Sequence, residues 1–270
     1  TGFNAKTEGI ESAVLSSSDN TKEINNNIPM YGANTLSAGS TDGTFTASVD
    51  VKHLLAKITL DNLSVNFAQD GPYKSATFKP TEFFLVNVPE NLAFNTAAVN
   101  GTNHFHGCNI ASSDYSSLSW INSLPSNWGS YKEFLATGAL SGSALSGIAS
   151  SGTEKYGSKS FFYVTPSTDV TDDGKMKLII AGDFDANGSG TTEKVFYPVA
   201  INATYDAAGN ATAADGGTVF QVSPNKNYKC TVVIKTKGTT DPTKNLDPQT
   251  ATVTVTVTDF VEAKQTTTFE

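Results

Sequence analysis

The last twenty residues restrict this chain more than any other part of it. Residues 251–257 run Ala-Thr-Val-Thr-Val-Thr-Val. A period of two suits a half-buried β-strand, because successive side chains of a strand point to opposite faces of its sheet. The odd-numbered apolar series continues through Val261, Ala263 and Phe269, broken by the pair Asp259-Phe260. Fully extended, twenty residues span about 65 Å, whereas an ordinary strand has about 5–6 residues. One domain cannot readily use all of it. The expectation is a first strand that completes the home sandwich and a second segment that projects away from it.

The rest of the chain agrees with an all-β fold. Thr, Ser, Asn, Gly and Val are abundant and charged residues make up only 16%, a balance that favours short strands and polar turns over surface helices. Thr44–Val51 alternates Phe45, Ala47, Val49 and Val51 with polar neighbours, as a half-buried strand does. In the next run Ile58 and Leu60 occupy even positions but Leu63, Val65 and Phe67 odd ones. This phase flip at Asp61-Asn62 requires a bulge or a turn if one face is to stay buried. A domain boundary is expected just after it, in the turn-rich residues 68–72, which divides the chain into 1–68 and 69–270.

Beyond that point Glu82–Val88 is nearly continuous apolar and is expected to be a central, buried strand ending at Pro89. Further strands are expected at Phe161–Thr165, Met176–Gly182, Val195–Ile201, Val219–Val222 and Lys229–Lys235. Asp173-Gly174 and Asn187-Gly188 are the turn signals, and the whole is expected to form a meander of antiparallel hairpins. Pro198 lacks a ladder donor and places its strand at an edge or a bulge. Short helices are expected within residues 4–18, where Ile10, Val14 and Leu15 have helical spacing, and from the capping-box pattern Ser130-Tyr131-Lys132-Glu133. The Gly/Ser/Ala-rich Gly138–Gly152 reads as a mobile surface excursion, and Gly238–Pro248 as a linker.

The formal net charge is −8, and all 18 basic residues are lysines, which argues against nucleic-acid binding and against docking on anionic membranes. The missing arginines are either an accident of composition or a protection against Arg-specific proteolysis. No apolar run approaches the ~18 residues of a membrane span, and the first residues lack the basic and apolar regions of a signal peptide, the expectation for a mature or trimmed chain. Cys108 and Cys230 lie in no metal or redox motif; a single long-range disulfide and two buried thiols both fit, the thiols being preferred.

Few residues offer chemistry. His104, His106 and Cys108 would share one face of an extended strand, three soft ligands without an indicated fourth, so no metal or other cofactor is expected. Asp183-Phe184-Asp185-Ala186-Asn187-Gly188 imitates the start of a calcium loop, but its twelfth position is Lys194 where a bidentate Glu belongs, and a hairpin loop is the better reading. With only His53, His104 and His106 as histidine bases and no nucleophile elbow or phosphate loop, catalysis is not expected.

Three landmarks in order resemble the major fimbrial subunits (fimbrillins, type V pilins) of the Bacteroidales. They are Ile28-Pro29-Met30-Tyr31-Gly32, the strand Val51-Lys52-His53-Leu54-Leu55-Ala56-Lys57-Ile58, and the terminal Ala251–Glu270 with its Val-Thr repeat, Asp259-Phe260 and late Phe269. The resemblance implies two transthyretin-like antiparallel β-sandwich domains and export as a lipoprotein precursor. It also implies proteolytic removal of an N-terminal strand whose groove then accepts the C-terminal segment of a neighbouring subunit. Carried to this chain, the donor residues are Val253, Val255, Val257, Phe260, Val261, Ala263 and Phe269, the partners are neighbouring pilin subunits, and the location is a cell-surface fimbria at the outer membrane. In the family further strands precede the helix, whereas this chain opens close to it, so the N-terminal domain is expected to be incomplete. Two alternatives stay open: that the C-terminal segment is simply the last strand of its own domain, and that the chain is a surface glycan-binding module using Trp120, Trp128 and Tyr131 as stacking platforms.

Overall fold

The structure, a computed structural model, describes residues 14–16, 30–93, 104–108, 131–132, 135–137, 139–147, 153–155, 161–247, 250–259 and 263–269. Among these the named elements are all β-strands, with one 3-10 turn at Leu135, whose N–H donates to the Lys132 carbonyl (3.0 Å); most residues of the two expected helices lie outside the described ones. Val14–Ser16 is instead a strand that pairs with Asn91–Ala93; three apolar positions cannot tell a helix from a strand when the partner lies far along the chain. Tyr131 forms a bridge with His106, while Ser130 and Glu133 of the capping-box pattern lie outside the described residues.

The longer strands are β1 (Phe45–His53), β2 (Ala56–Val65), β3 (Thr77–Val86), β4 (Phe161–Val164), β5 (Lys177–Asp185), β6 (Thr192–Ala200), β7 (Lys226–Ile234), β8 (Ala251–Asp259) and β9 (Ala263–Phe269). A five-stranded sheet runs β2-β7-β8, with β4 and Thr153–Lys155 successively along the outer edge of β2. A four-stranded sheet runs from Leu145–Ser146 through β3 and β5 to β6. The two pack face to face over one apolar cluster that includes Ile58, Leu63, Phe67, Phe83, Ile180, Tyr197, Tyr228 and Val232. A third, smaller sheet places β1 between β9 and the short strands Met30–Tyr31 and Ser37–Ala38.

Burial follows from pattern. On β2 the inward residues change parity where expected: Leu60 pairs with Cys230 and Asn62 with Thr231, leaving Asp61 as an exposed bulge. Ile58, Leu60, Leu63, Val65 and Phe67 are consequently all fully buried. A second bulge, at Thr81, changes the parity of β3 from Phe78 to Phe83. Gly182 sits opposite it, where a Cβ would lie 2.4 Å from the Lys79 carbonyl oxygen. The strand expected at Glu82–Val88 is central, as β3, but stops at Val86, because Asn87 takes a left-handed backbone (φ 61°). The Asn87 side-chain amide donates to the carbonyls of Asp173 (2.7 Å) and Lys175 (3.0 Å).

The antiparallel meander is corrected at its centre. β4 lies in the five-stranded sheet and β5 in the other, and β7 pairs with β2 in parallel. A parallel neighbour needs a long crossover and leaves no local turn signal. β5 and β6 do form the expected hairpin. Asp185 Oδ1 accepts the N–H groups of Asn187, Gly188 and Ser189, and Oδ2 accepts that of Gly190 at 2.6 Å. Val219–Val222 is not a strand: Phe220 has φ 69°, and only Val222 bridges, to Ser167. Within the expected excursion Leu145–Ser146 pairs with Thr77 and Phe78, and Leu145 is buried. The sequence expectation divides the chain after residue 68; β2, which precedes that point, shares its ladder and core with strands that follow it.

β6 is an edge strand, which accommodates Pro198. Phe196 exchanges backbone hydrogen bonds with Thr239 on the side away from β5. Pro198, two residues on, therefore turns its missing N–H in the same outward direction. The expected linker is thus a tied strap. Besides the Thr239 bridge, the Tyr197 hydroxyl donates to the Thr236 carbonyl (2.9 Å), Lys237 pairs with Glu193, and the Lys177 ammonium donates to the Thr243 carbonyl (2.9 Å).

Deletion of Asp61 would straighten the ladder and turn Leu63, Val65 and Phe67 out of the core. At about 1.5–3 kcal/mol for each large side chain, the loss rivals the whole stability of a typical domain, about 5–15 kcal/mol. The expected result is a chain without a cooperative thermal transition by near-UV circular dichroism.

Lys177 supplies a pH test. Burial, helped by nearby Lys175 and opposed by Asp172, Asp173 and Asp241, lowers its ammonium from 10.5 to about 8. Between those values the unfolded chain binds more protons than the folded one, so this group's contribution to stability rises with pH through the window and is constant below it. Relative to Lys177→Met, the unsubstituted protein should gain up to about 2 kcal/mol between pH 7 and 9.5 in urea unfolding.

Candidate assembly site

The C-terminal run is two strands with two different addresses. β8 pairs with β7 over its whole length, Ala251 opposite Ile234 and Asp259 opposite Lys226. Its odd residues point into the sandwich: Ala251, Val253 and Val255 are buried there, and Val257 packs partly against the same cluster. Thr252, Thr254, Thr256 and Thr258 are exposed. For this part of the tail the simpler alternative describes the chain, since β8 is the edge strand of the home sheet. Asp259 ends the strand in an ion pair with Lys226.

β9 leaves that sheet and pairs antiparallel with β1, Ala263 opposite Val51 through Phe269 opposite Phe45. Topology dictates this landing place. Because β7 is parallel to β2, Asn227 at its start lies beside Lys57 at the start of β2. The end of β8 at Asp259 therefore comes back to the point where the chain left β1 to enter β2. After three intervening residues, β9 meets the last residues of β1.

The corner between β1 and β2 is fixed by packing and by one side chain. Leu54 and Leu55 are buried against Tyr31 and Tyr163. Asn225 accepts the His53 N–H through Oδ1 (3.2 Å) and donates its own N–H to the Leu55 carbonyl (3.0 Å). It does so in a left-handed conformation (φ 60°) that asparagine tolerates.

β1 is far less buried than the sandwich strands. Phe45 is 48% exposed, and Ala47, Val49 and Val51 are half-buried. Leu36, 55% exposed, immediately precedes the short strand Ser37–Ala38, which flanks the other edge of β1. Of the sequence-predicted donor residues, Val253, Val255 and Val257 thus sit in the home sheet, Ala263 and Phe269 lie on the strand paired with β1, and Phe260 and Val261 lie outside the described residues. Sequence reasoning did not find β1 as the partner of the tail; its alternation marked a half-buried strand, but nothing local names the strand beside it.

The other candidates have structural settings. His104, His106 and Cys108 are all buried, and no group of three metal-ligating side chains occurs among the described residues. Asp185 spends both carboxylate oxygens on its own hairpin amides, Gly190 foremost, which hold the carboxyl below the usual carboxylate range. Cys230 lies between the two sheets and Cys108 on the outer face of the four-stranded sheet, among Phe84, Val86, Ile179 and Phe196. Both are free. Burial pushes the Cys230 thiol up to about 12, and burial together with the Glu82 carboxylate raises that of Cys108. Tyr131 is 37% exposed, while Trp120 and Trp128 lie outside the described residues.

No family model and no curated protein matches the sequence. Solved structures do. A protein of Bacteroides eggerthii assigned to cell adhesion superposes over 94% of this chain and 71% of its own, with a TM-score of 0.63 and 20% identity. A second, from Parabacteroides distasonis, covers 94% and 77% at TM-score 0.61 and 13% identity. A fimbrilin of Porphyromonas gingivalis covers 94% and 75% at TM-score 0.60 and 19% identity. The chain is therefore similar in fold, along nearly its whole length, to Bacteroidales fimbrial and adhesion proteins.

The two faces of β8 separate by mutation. Val255→Ala removes two buried methyl groups and should cost about 2 kcal/mol, whereas Thr254→Ala on the exposed face should stay within about 0.5 kcal/mol. Chemical denaturation of both variants measures the difference.

Proposed function

We propose that this chain is a structural subunit of a cell-surface fimbria, polymerising by donor-strand exchange and supporting adhesion through the fibre. The observation that carries the reading is the second strand of the tail. After β8 has completed the sandwich, the chain continues as β9, a full strand that adds nothing to the sandwich ladder. The likeness in fold to a fimbrilin supports it. An alternating strand supplies both ladder hydrogen bonds and side chains for a groove, which is what a sheet lacking one strand needs. One such contact repeated head to tail makes a fibre.

On this reading the donor is β9, with Ala263 and Phe269 on its apolar face and Phe260 and Val261 leading into it. The partners are further pilin subunits, and the location is a fimbria at the outer membrane, reached as a lipoprotein precursor. The two-unit organisation goes with it: a small unit around β1 that receives the strand, and the sandwich of β2–β8, joined at Leu54-Leu55.

The test compares the full chain with one lacking residues 261–270, by size-exclusion chromatography and electron microscopy. The full chain should form fibres and the shortened one should stay monomeric and folded. If both remain monomeric under all conditions tried, the tail is not a donor and the chain is not a self-assembling subunit.

A further inference from the structure

The outer face of the four-stranded sheet is apolar at one end, around Phe84, Ile179 and Phe196, and charged at the other. Phe78 and Phe83 belong to the core between the sheets, so Lys79 and Glu82 face outward. Lys79 on β3 is opposite Asp183 on β5, which is opposite Lys194 on β6. At a strand spacing of about 4.8 Å, this row sets charges of alternating sign along about 10 Å. The Thr81 bulge shifts the parity of β3 and so brings Glu82, opposite Ala181, to the same face beside that row. A wall stands along the edge of β3, where the Thr137 and Leu140 N–H groups donate to the carbonyls of Phe83 (2.9 Å) and Thr81 (2.7 Å). Together they enclose a hollow of about 390 Å³ lined by Lys79, Thr81, Glu82, Asp183 and Lys194, with Leu140 on its wall.

The bonds already made in the hollow restrict what can enter it. Lys194 Nζ pairs with Asp183 Oδ1 (3.2 Å) and donates to the Thr81 hydroxyl (2.9 Å), whose own proton goes to the Ala181 carbonyl (3.3 Å). Asp183 keeps Oδ2 as an acceptor. Lys79 is exposed and makes no ion pair among the described residues. A compact anion such as phosphate would meet two carboxylates here, and an amine two ammonium groups. Hydroxyls suit the surface better, since each can donate to Asp183 or Glu82 and accept from a lysine. The uncommitted Lys79 adds a place for one carboxylate, and Leu140 an apolar contact for ring C–H groups. Ligand pockets span about 300–1,000 Å³, and a hollow at the small end of that range holds a single sugar ring.

From this we infer that the hollow beside the Thr81 bulge binds the terminal sugar of an acidic glycan, a ring that carries one carboxylate. The carboxylate lies on Lys79, ring hydroxyls on Asp183 and Glu82, and a C–H face against Leu140. The site uses neither tail strand and none of Trp120, Trp128 and Tyr131, so it stands or falls apart from the polymer reading.

The probes are the methyl glycosides of glucuronic and galacturonic acid, whose blocked anomeric carbon stands in for the glycosidic bond, with methyl glucoside and methyl galactoside as neutral controls. Titration calorimetry on the full chain should give a dissociation constant on the order of 1 mM for at least one acid glycoside. Its neutral counterpart should bind about tenfold more weakly. Lys79→Met, at an exposed position, should abolish that preference and leave the thermal transition unchanged. The Leu140 methyl resonances should shift when the acid glycoside is added. Failure of both acid glycosides to bind at about 20 mM, equal affinity for acid and neutral glycosides, or a preference that survives Lys79→Met would overturn the inference. None of these readouts depends on assembly, which the tail deletion tests separately.

Discussion

The parallel ladder between β2 and β7 is the interaction on which the rest depends. It joins segments that begin at residues 56 and 226 and sits in the middle of the five-stranded sheet. From it follow the direction of β8, the return of Asp259 to the start of β2, and the placement of β9 on β1. Were β7 antiparallel to β2, the tail would emerge at the far end of the sandwich. Its cost is kinetic. Parallel pairing across so long a stretch closes a large loop before it is rewarded, and such contacts form slowly.

What the sequence disclosed and what it hid divide along that line. Apolar patterning located β1, β4, β5, β6, β7 and β8 to within a few residues and, as a continuous apolar run, the second half of β3, and the phase flip at Asp61-Asn62 located a bulge because parity is a property of one strand alone. Pro198 marked an edge for the same reason: a missing donor is local. The parallel partner of β2, the strap character of residues 236–243 and the neighbour of β9 are relations between distant segments, and no residue type encodes them. The Thr81 bulge escaped because Pro80 and Thr81 interrupt the apolar pattern before the parity change can be seen. Val14–Ser16 failed as a helix because its partner, Asn91–Ala93, supplied the hydrogen bonds that helical spacing had assigned to the chain itself.

The residues of the C-terminal run show the same division in miniature. Alternation alone treats Val253 and Ala263 as one series, although the first is buried in the home core and the second lies on a strand of another sheet. What separates them is Asp259, which pairs with Lys226 at the end of β7. An exposed ion pair of this kind adds little stability, but a charge at that position ends the apolar register and fixes where the home strand stops.

The strap has a mechanical consequence. β8 is held between two anchors, since its first residue follows a segment tied to β6 by the Thr239 bridge and to β5 by Lys177, while its last residue leads into β9. A pull on the tail along the axis of β8 therefore cannot peel the strand away from one end. It loads the nine paired residues of β7 and β8 together, in shear, and passes what remains through the strap into the second sheet. A fibre of such subunits under flow would stretch against whole ladders at once, and its yield force would be set by β7 and β8 rather than by the weakest hydrogen bond among them.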